Sequence, residues 1–117
     1  MSELILTDFR EAIDGIQLSL NSLGYRLLEW KEKGPAQYVT FENQENLLEF
    51  LFGPPEWNLD FIIVTPKGKW SFSDLMSVPS VAFWVETHRY QPPVHRSLKS
   101  EMQWFIELSE VALLMLT

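Results

Sequence analysis

The feature that most constrains this chain is its punctuation. Between residues 24 and 72, short apolar runs are separated by breaks at Gly34-Pro35, Asn43-Gln44-Glu45-Asn46, Gly53-Pro54-Pro55 and Thr65-Pro66-Lys67-Gly68. Glycine and proline impose dihedrals that end a strand, and asparagine supports tight turns. A parallel pair needs a crossover of a dozen residues or more, so runs joined this closely pair only as antiparallel neighbours. The pattern predicts strands near 25–30, 38–41, 47–52 and 57–65, with a short edge strand at 70–72. The middle of the chain reads as a meander.

Helical periodicity flanks it. Phe9, Ala12, Ile13, Ile16, Leu20 and Leu23 recur at three and four, one stripe of an amphipathic helix over 8–23. Thr7 or Asp8 would cap its start, and Gly24 supplies the left-handed residue past its end. After the strands, Ser73 or Asp74 would cap a short turn through Leu75 and Met76. Pro79 suits the first position of a helix over 79–89, although Val81, Phe83, Val85 and Thr87 would also line one face of a strand. From Ser97, an N-cap, Leu98, Met102, Phe105, Leu108, Ala112 and Met115 make a last helix. The fold class expected is α+β: an N-terminal helix, a four- to five-stranded antiparallel meander, then two helices packed on one face of the sheet, all in a single domain 1–117.

Composition closes several classes. There is no cysteine, which excludes disulfides, thiolate metal sites and a cysteine nucleophile. Only five separated glycines are present, too few for a phosphate-cradling loop, and no serine lies in Gly-x-Ser-x-Gly. No cofactor is expected. No apolar run spans a bilayer and the first residues lack the basic segment of a secretory leader, so a cytoplasmic location is the expectation. The net charge of -7 disfavours nucleic acid and anionic membrane as partners, and favours a basic protein.

The acids are unevenly placed. From 34 to 66 there is no Lys, Arg or His, while Glu42, Glu45, Glu49, Glu56 and Asp60 all fall there. Two readings stand: solvated strand turns that happen to use acids, or a recognition surface for a basic partner, with Trp57 as an aromatic anchor on the stiff 52–57 loop. The carboxylates lack calcium-loop spacing. The basic segment His88, Arg89, Tyr90, His95 supports a second candidate, a pocket with titratable groups, against a plain exposed connection in which Arg96 and Lys99 pair with nearby acids. No third metal ligand has recognisable spacing. The run 111–116 is apolar on every side, which leaves burial between sheet and first helix, or a homodimer interface through the C-terminal helix.

In size, charge and element order the chain resembles small acidic cysteine-free α+β proteins of bacteria, among them toxin-neutralising immunity proteins. That resemblance implies a binding role, immunity-like or regulatory, and transfers no functional residue. A small-molecule binder or enzyme using the 88–95 segment, and a self-associating structural domain, are the alternatives.

Overall fold

The structure is a computed structural model describing residues 2–116. Its elements are α1 (Ser2–Ser22), β1 (Arg26–Lys33), β2 (Ala36–Asn43), β3 (Asn46–Gly53), β4 (Asn58–Thr65), β5 (Gly68–Ser71), α2 (Phe72–Met76), α3 (Pro79–Thr87) and α4 (Leu98–Leu116). The strands form one sheet in chain order, β1-β2-β3-β4-β5, every pair antiparallel. The α+β architecture expected from the punctuation is what the chain adopts.

The helix α1 begins well before Thr7 and Asp8, which lie inside it rather than capping it. The reason is one more turn of the apolar stripe: Ile5 stands four residues before Phe9 and packs against the core. Its other end follows expectation. Gly24 has φ +95°, Gly24 N–H donates to Asn21 O at 3.0 Å, and Tyr25 N–H to Leu20 O at 2.9 Å. These two bonds make a Schellman stop, which a residue with a Cβ would strain.

The cap of α2 also differs from expectation. Ser71, the last residue of β5, is the N-cap: its hydroxyl accepts from Asp74 N–H at 3.2 Å while the Asp74 carboxylate accepts from Ser71 N–H at 2.9 Å. Strand end and helix start thus share one residue. The expected helix over 79–89 forms as α3, which starts at Pro79 and stops at Thr87, two residues earlier than expected, and Ser97 caps α4 by accepting from Ser100 N–H at 3.2 Å.

All the helices lie on one face of the sheet. Register aligns three inward rows: Gln37, Phe52 and Leu59; Val39, Phe50 and Phe61; Phe41, Leu48 and Ile63. All nine are buried, and they meet Phe9, Ile13, Ile16 and Leu20 of α1 and Met102, Ile106 and Leu108 of α4 in one core. Aromatic rings knit the layers. Phe9 stacks on Phe52 at 4.9 Å, Phe61 tilts against Phe105 at 4.5 Å, and Trp84 of α3 meets Trp104 of α4 at 6.0 Å. The one buried amide among these rows, Gln37, accepts from Trp30 Nε1–H at 2.7 Å.

The last apolar run is only partly covered. Ala112 is buried and Leu113 and Leu116 pack on the core, but Leu114 and Met115 are 76% and 51% exposed. Among the described residues no helix is long and apolar enough to cross a membrane.

Candidate functional site

Among the described residues no helix covers the opposite face of the sheet. Alternate residues of the same strands build it, again in register: Lys31, Tyr38, Leu51 and Asp60 in one row; Glu29, Thr40, Glu49, Ile62 and Ser71 in the next; Arg26, Glu42, Leu47, Val64 and Lys69 in the third. Tyr38, Leu47, Leu51, Ile62 and Val64 are half-buried by their neighbours in the sheet alone and are not among the side chains packed on the core. They form the apolar part of this face.

Charge on the face is ordered by strand. The central strands β2, β3 and β4 carry acids and no base, and the bases Arg26, Lys31, Lys33 and Lys69 sit on the two edge strands. Arg26 pairs with Glu42, and Lys31 lies 3.5 Å from Glu29. Glu49 accepts from Thr40 Oγ1–H at 3.1 Å. Asp60 is exposed, and its carboxylate has no ion pair or hydrogen bond among the described residues. Tyr38 already holds a cation, with Lys33 Nζ 5.6 Å from its ring centroid.

Of the residues singled out in the sequence, Glu42, Glu49 and Asp60 therefore share this face. Glu45 stands exposed in the turn between β2 and β3, while Glu56 belongs to the loop at the other end of β3, where it accepts from Asn58 Nδ2–H at 3.0 Å. Trp57 turns away from the face: its half-buried ring tilts against Phe52 at 5.4 Å, on the helical side. With φ +56° and its N–H bonded to Gly53 O at 3.0 Å, it closes the loop as a corner.

Sequence reasoning gave no special role to Tyr38, Leu47, Leu51, Ile62 and Val64. The available signal was their position out of phase with the core rows, which becomes readable only once the helices are assigned to one face.

Arg96 ties that corner to the connection between α3 and α4. Its guanidinium donates to Trp57 O at 2.8 Å, engages both carboxylate oxygens of Glu101 at 2.8 and 3.3 Å, and lies 5.9 Å from the Phe52 ring centroid. The expected pairing of Arg96 with a nearby acid is found.

The other candidates on this connection part company. The His88 ring stacks on Trp84 at 4.5 Å, with Nδ1 3.0 Å from Trp84 O, and His88 O accepts from Trp104 Nε1–H at 2.6 Å. The imidazole thus finishes α3. Arg89 and His95 are exposed, whereas Tyr90 donates to Ser100 Oγ at 3.1 Å and lines a cavity of about 160 Å³ with Glu101, Trp104 and Phe105. Among the described residues no three His, Asp or Glu side chains are grouped to hold a metal ion.

Two groups away from the face have shifted titration. Desolvation, and secondarily the Glu110 carboxylate, raise the Tyr25 phenol above its usual range. The backbone hydrogen bond from Ser71, followed by its hydroxyl, lowers Asp74.

In comparison with known proteins, no family model matches the chain, and no curated protein and no solved structure matches it.

Proposed function

We propose that this chain is a non-enzymatic interaction domain whose uncovered sheet face binds a basic protein partner, as an immunity protein or a regulator would. The observation that carries this reading is the row structure of the face: five half-exposed apolar side chains interleaved with Glu42, Glu49 and Asp60 on strands without a base. Apolar area supplies affinity on desolvation, and complementary charge supplies orientation and association rate. Contiguous apolar surface of this kind, rimmed by polar groups, is a mark of binding sites. The net charge of -7 adds long-range attraction for a basic partner.

Two observations favour binding over catalysis. The His88 ring is committed to Trp84, and the cavity that Tyr90 lines, about 160 Å³, is smaller than the roughly 300–1,000 Å³ usual for small-molecule sites.

The test is comparative capture from the native host. Wild-type protein should retain a basic protein that Leu51→Asp and Glu49→Lys each lose, while Met115→Ser keeps it. Equal retention by all four would remove the face from the reading.

A second reading, self-association through α4, is favoured by the apolar surface near its end. Leu23, Tyr25, Leu113 and Leu114 line a cleft of about 390 Å³ there, and Met115 is exposed. Sedimentation of wild type against Met115→Ser decides it: a monomer at high micromolar concentration for both excludes this dimer.

A further inference from the structure

We propose that the cleft between Tyr38 and Asp60 is a receptor for one arginine side chain of the partner. The inference rests on the reading of the sheet face as a binding surface and names the chemistry of one contact on it.

The cleft has a structural cause. Ala36 and Gly53 lie side by side where β2 begins and β3 ends, and a Cβ on Gly53 would come within 3.0 Å of both the Cα and Cβ of Ala36. Two small residues leave a depression of about 180 Å³, bounded by Tyr38, Leu51, Pro54 and Asp60. One long side chain fits such a volume. Its lining is mixed: Ala36, Leu51 and Pro54 offer apolar groups, Tyr38 an aromatic ring and Asp60 a carboxylate.

Two independent observations select a cation. Asp60 is the acid of the central strands on this face whose carboxylate has neither an ion pair nor a hydrogen bond among the described residues, since Glu42 pairs with Arg26 and Glu49 accepts from the Thr40 hydroxyl. The ring of Tyr38 attracts positive charge within the chain itself, from Lys33. An incoming cation would replace Lys33 at the ring and give Asp60 a counter-ion.

Arginine fits better than lysine for a geometric reason. Its guanidinium is planar and weakly hydrated, so it stacks on a ring and presents paired N–H donors to one carboxylate, with the methylene stem over Leu51. The lysine ammonium is a compact, strongly hydrated point charge that satisfies the carboxylate but gains less from the ring. A single carboxylate provides too few oxygens for a hard metal ion.

The experiment is a ¹⁵N-NMR titration with hexa-arginine and hexa-lysine peptides. Hexa-arginine should bind several-fold more tightly, with the largest amide shifts at 36–38, 51–54 and 60. Asp60→Asn should weaken it about tenfold, and Tyr38→Leu about two- to fivefold. Lys33→Gln should strengthen it about twofold, while Lys31→Gln, which removes the same charge two residue pairs along β1 without freeing the ring, should do less. Glu45→Gln, at the far turn, is the matched control for Asp60→Asn. Equal losses for Glu45→Gln and Asp60→Asn, or equal gains for Lys31→Gln and Lys33→Gln, would mean general charge attraction and would overturn the cleft. Shifts centred on Leu47 and Val64 would overturn the cleft yet leave the face standing. Shifts off the sheet face altogether would count against both.

Discussion

The two faces of this sheet are made by the same four breaks and the same strands, yet they obey different rules. On one side Val39, Phe50 and Phe61 stand in a row beneath the helices with at most 1% of their surface exposed. One residue along each strand, Tyr38, Leu51 and Asp60 stand in a row on the face that none of the described helices covers. Successive side chains point to opposite faces, so the chemistry of the two sides is decided independently by odd and even positions. The helical side is specified by volume and the open side by charge order. Substitutions should therefore damage stability on one side and recognition on the other.

The sharpest way to break that contrast is at the centre of the core row. Phe50→Ala should cost about 3–5 kcal/mol by urea denaturation, whereas Leu51→Ala, its neighbour on the other face, should cost below about 1 kcal/mol. Comparable losses at both positions would mean the open face is as tightly packed as the core. Next comes the buried amide of the core face. Gln37→Leu strands the Trp30 N–H and should cost about 1–3 kcal/mol, with a red or blue displacement of tryptophan fluorescence marking the changed contact.

Smaller effects sharpen the comparison at the margins of the sheet. Ser71→Ala removes the shared strand-end cap and should cost about 1 kcal/mol. Because Asp74 titrates below its ordinary range when folded, its contribution is present above the unfolded value near 4 and is lost as pH falls through the lower folded value. Acid titration of stability should be shallower in Asp74→Asn. Tyr25 behaves with the opposite sense. Its folded value is raised, so stability is complete below the unfolded value near 10 and declines as pH rises toward the folded one. Tyr25→Phe should remove that alkaline decline, which a pH series of thermal unfolding would read.

Much of the fold was legible because its signals are local. Gly24, Pro79 and Ser97 mark three helix ends by their own dihedral or hydrogen-bonding chemistry, and the four breaks dictate antiparallel order. The errors were local too. Thr7 and Asp8 can accept N–H bonds wherever they stand, but a helix continues through them because Ile5 still finds the core. Ser73 was a weaker cap than Ser71, whose spacing to Asp74 completes the reciprocal pair.

The candidate site was less legible for a different reason. In β3 and β4, runs such as Leu47-Leu48 and Phe61-Ile62-Ile63-Val64 are apolar on both phases, so alternation does not reveal which side the helices take. Proximity in sequence also misled: Glu45 and Glu56 flank β3 at opposite ends, and Trp57 faces the helices. Arg96, far along the chain, is what fixes that corner.

The order of the sheet matches the order of the chain, and this has a consequence for how the molecule is assembled. Each strand finds its partner in the segment made just before it, so pairing from β1 to β5 closes only short loops and is entropically cheap. The first helix is the exception. Its lateral neighbour is α4, the last element, and the two share a cleft lined by Ile5, Ala12, Leu98 and Lys99. The helical side of the meander is complete only with α4, the last element, whereas the open, acid-studded side requires nothing that lies beyond β5 in the chain.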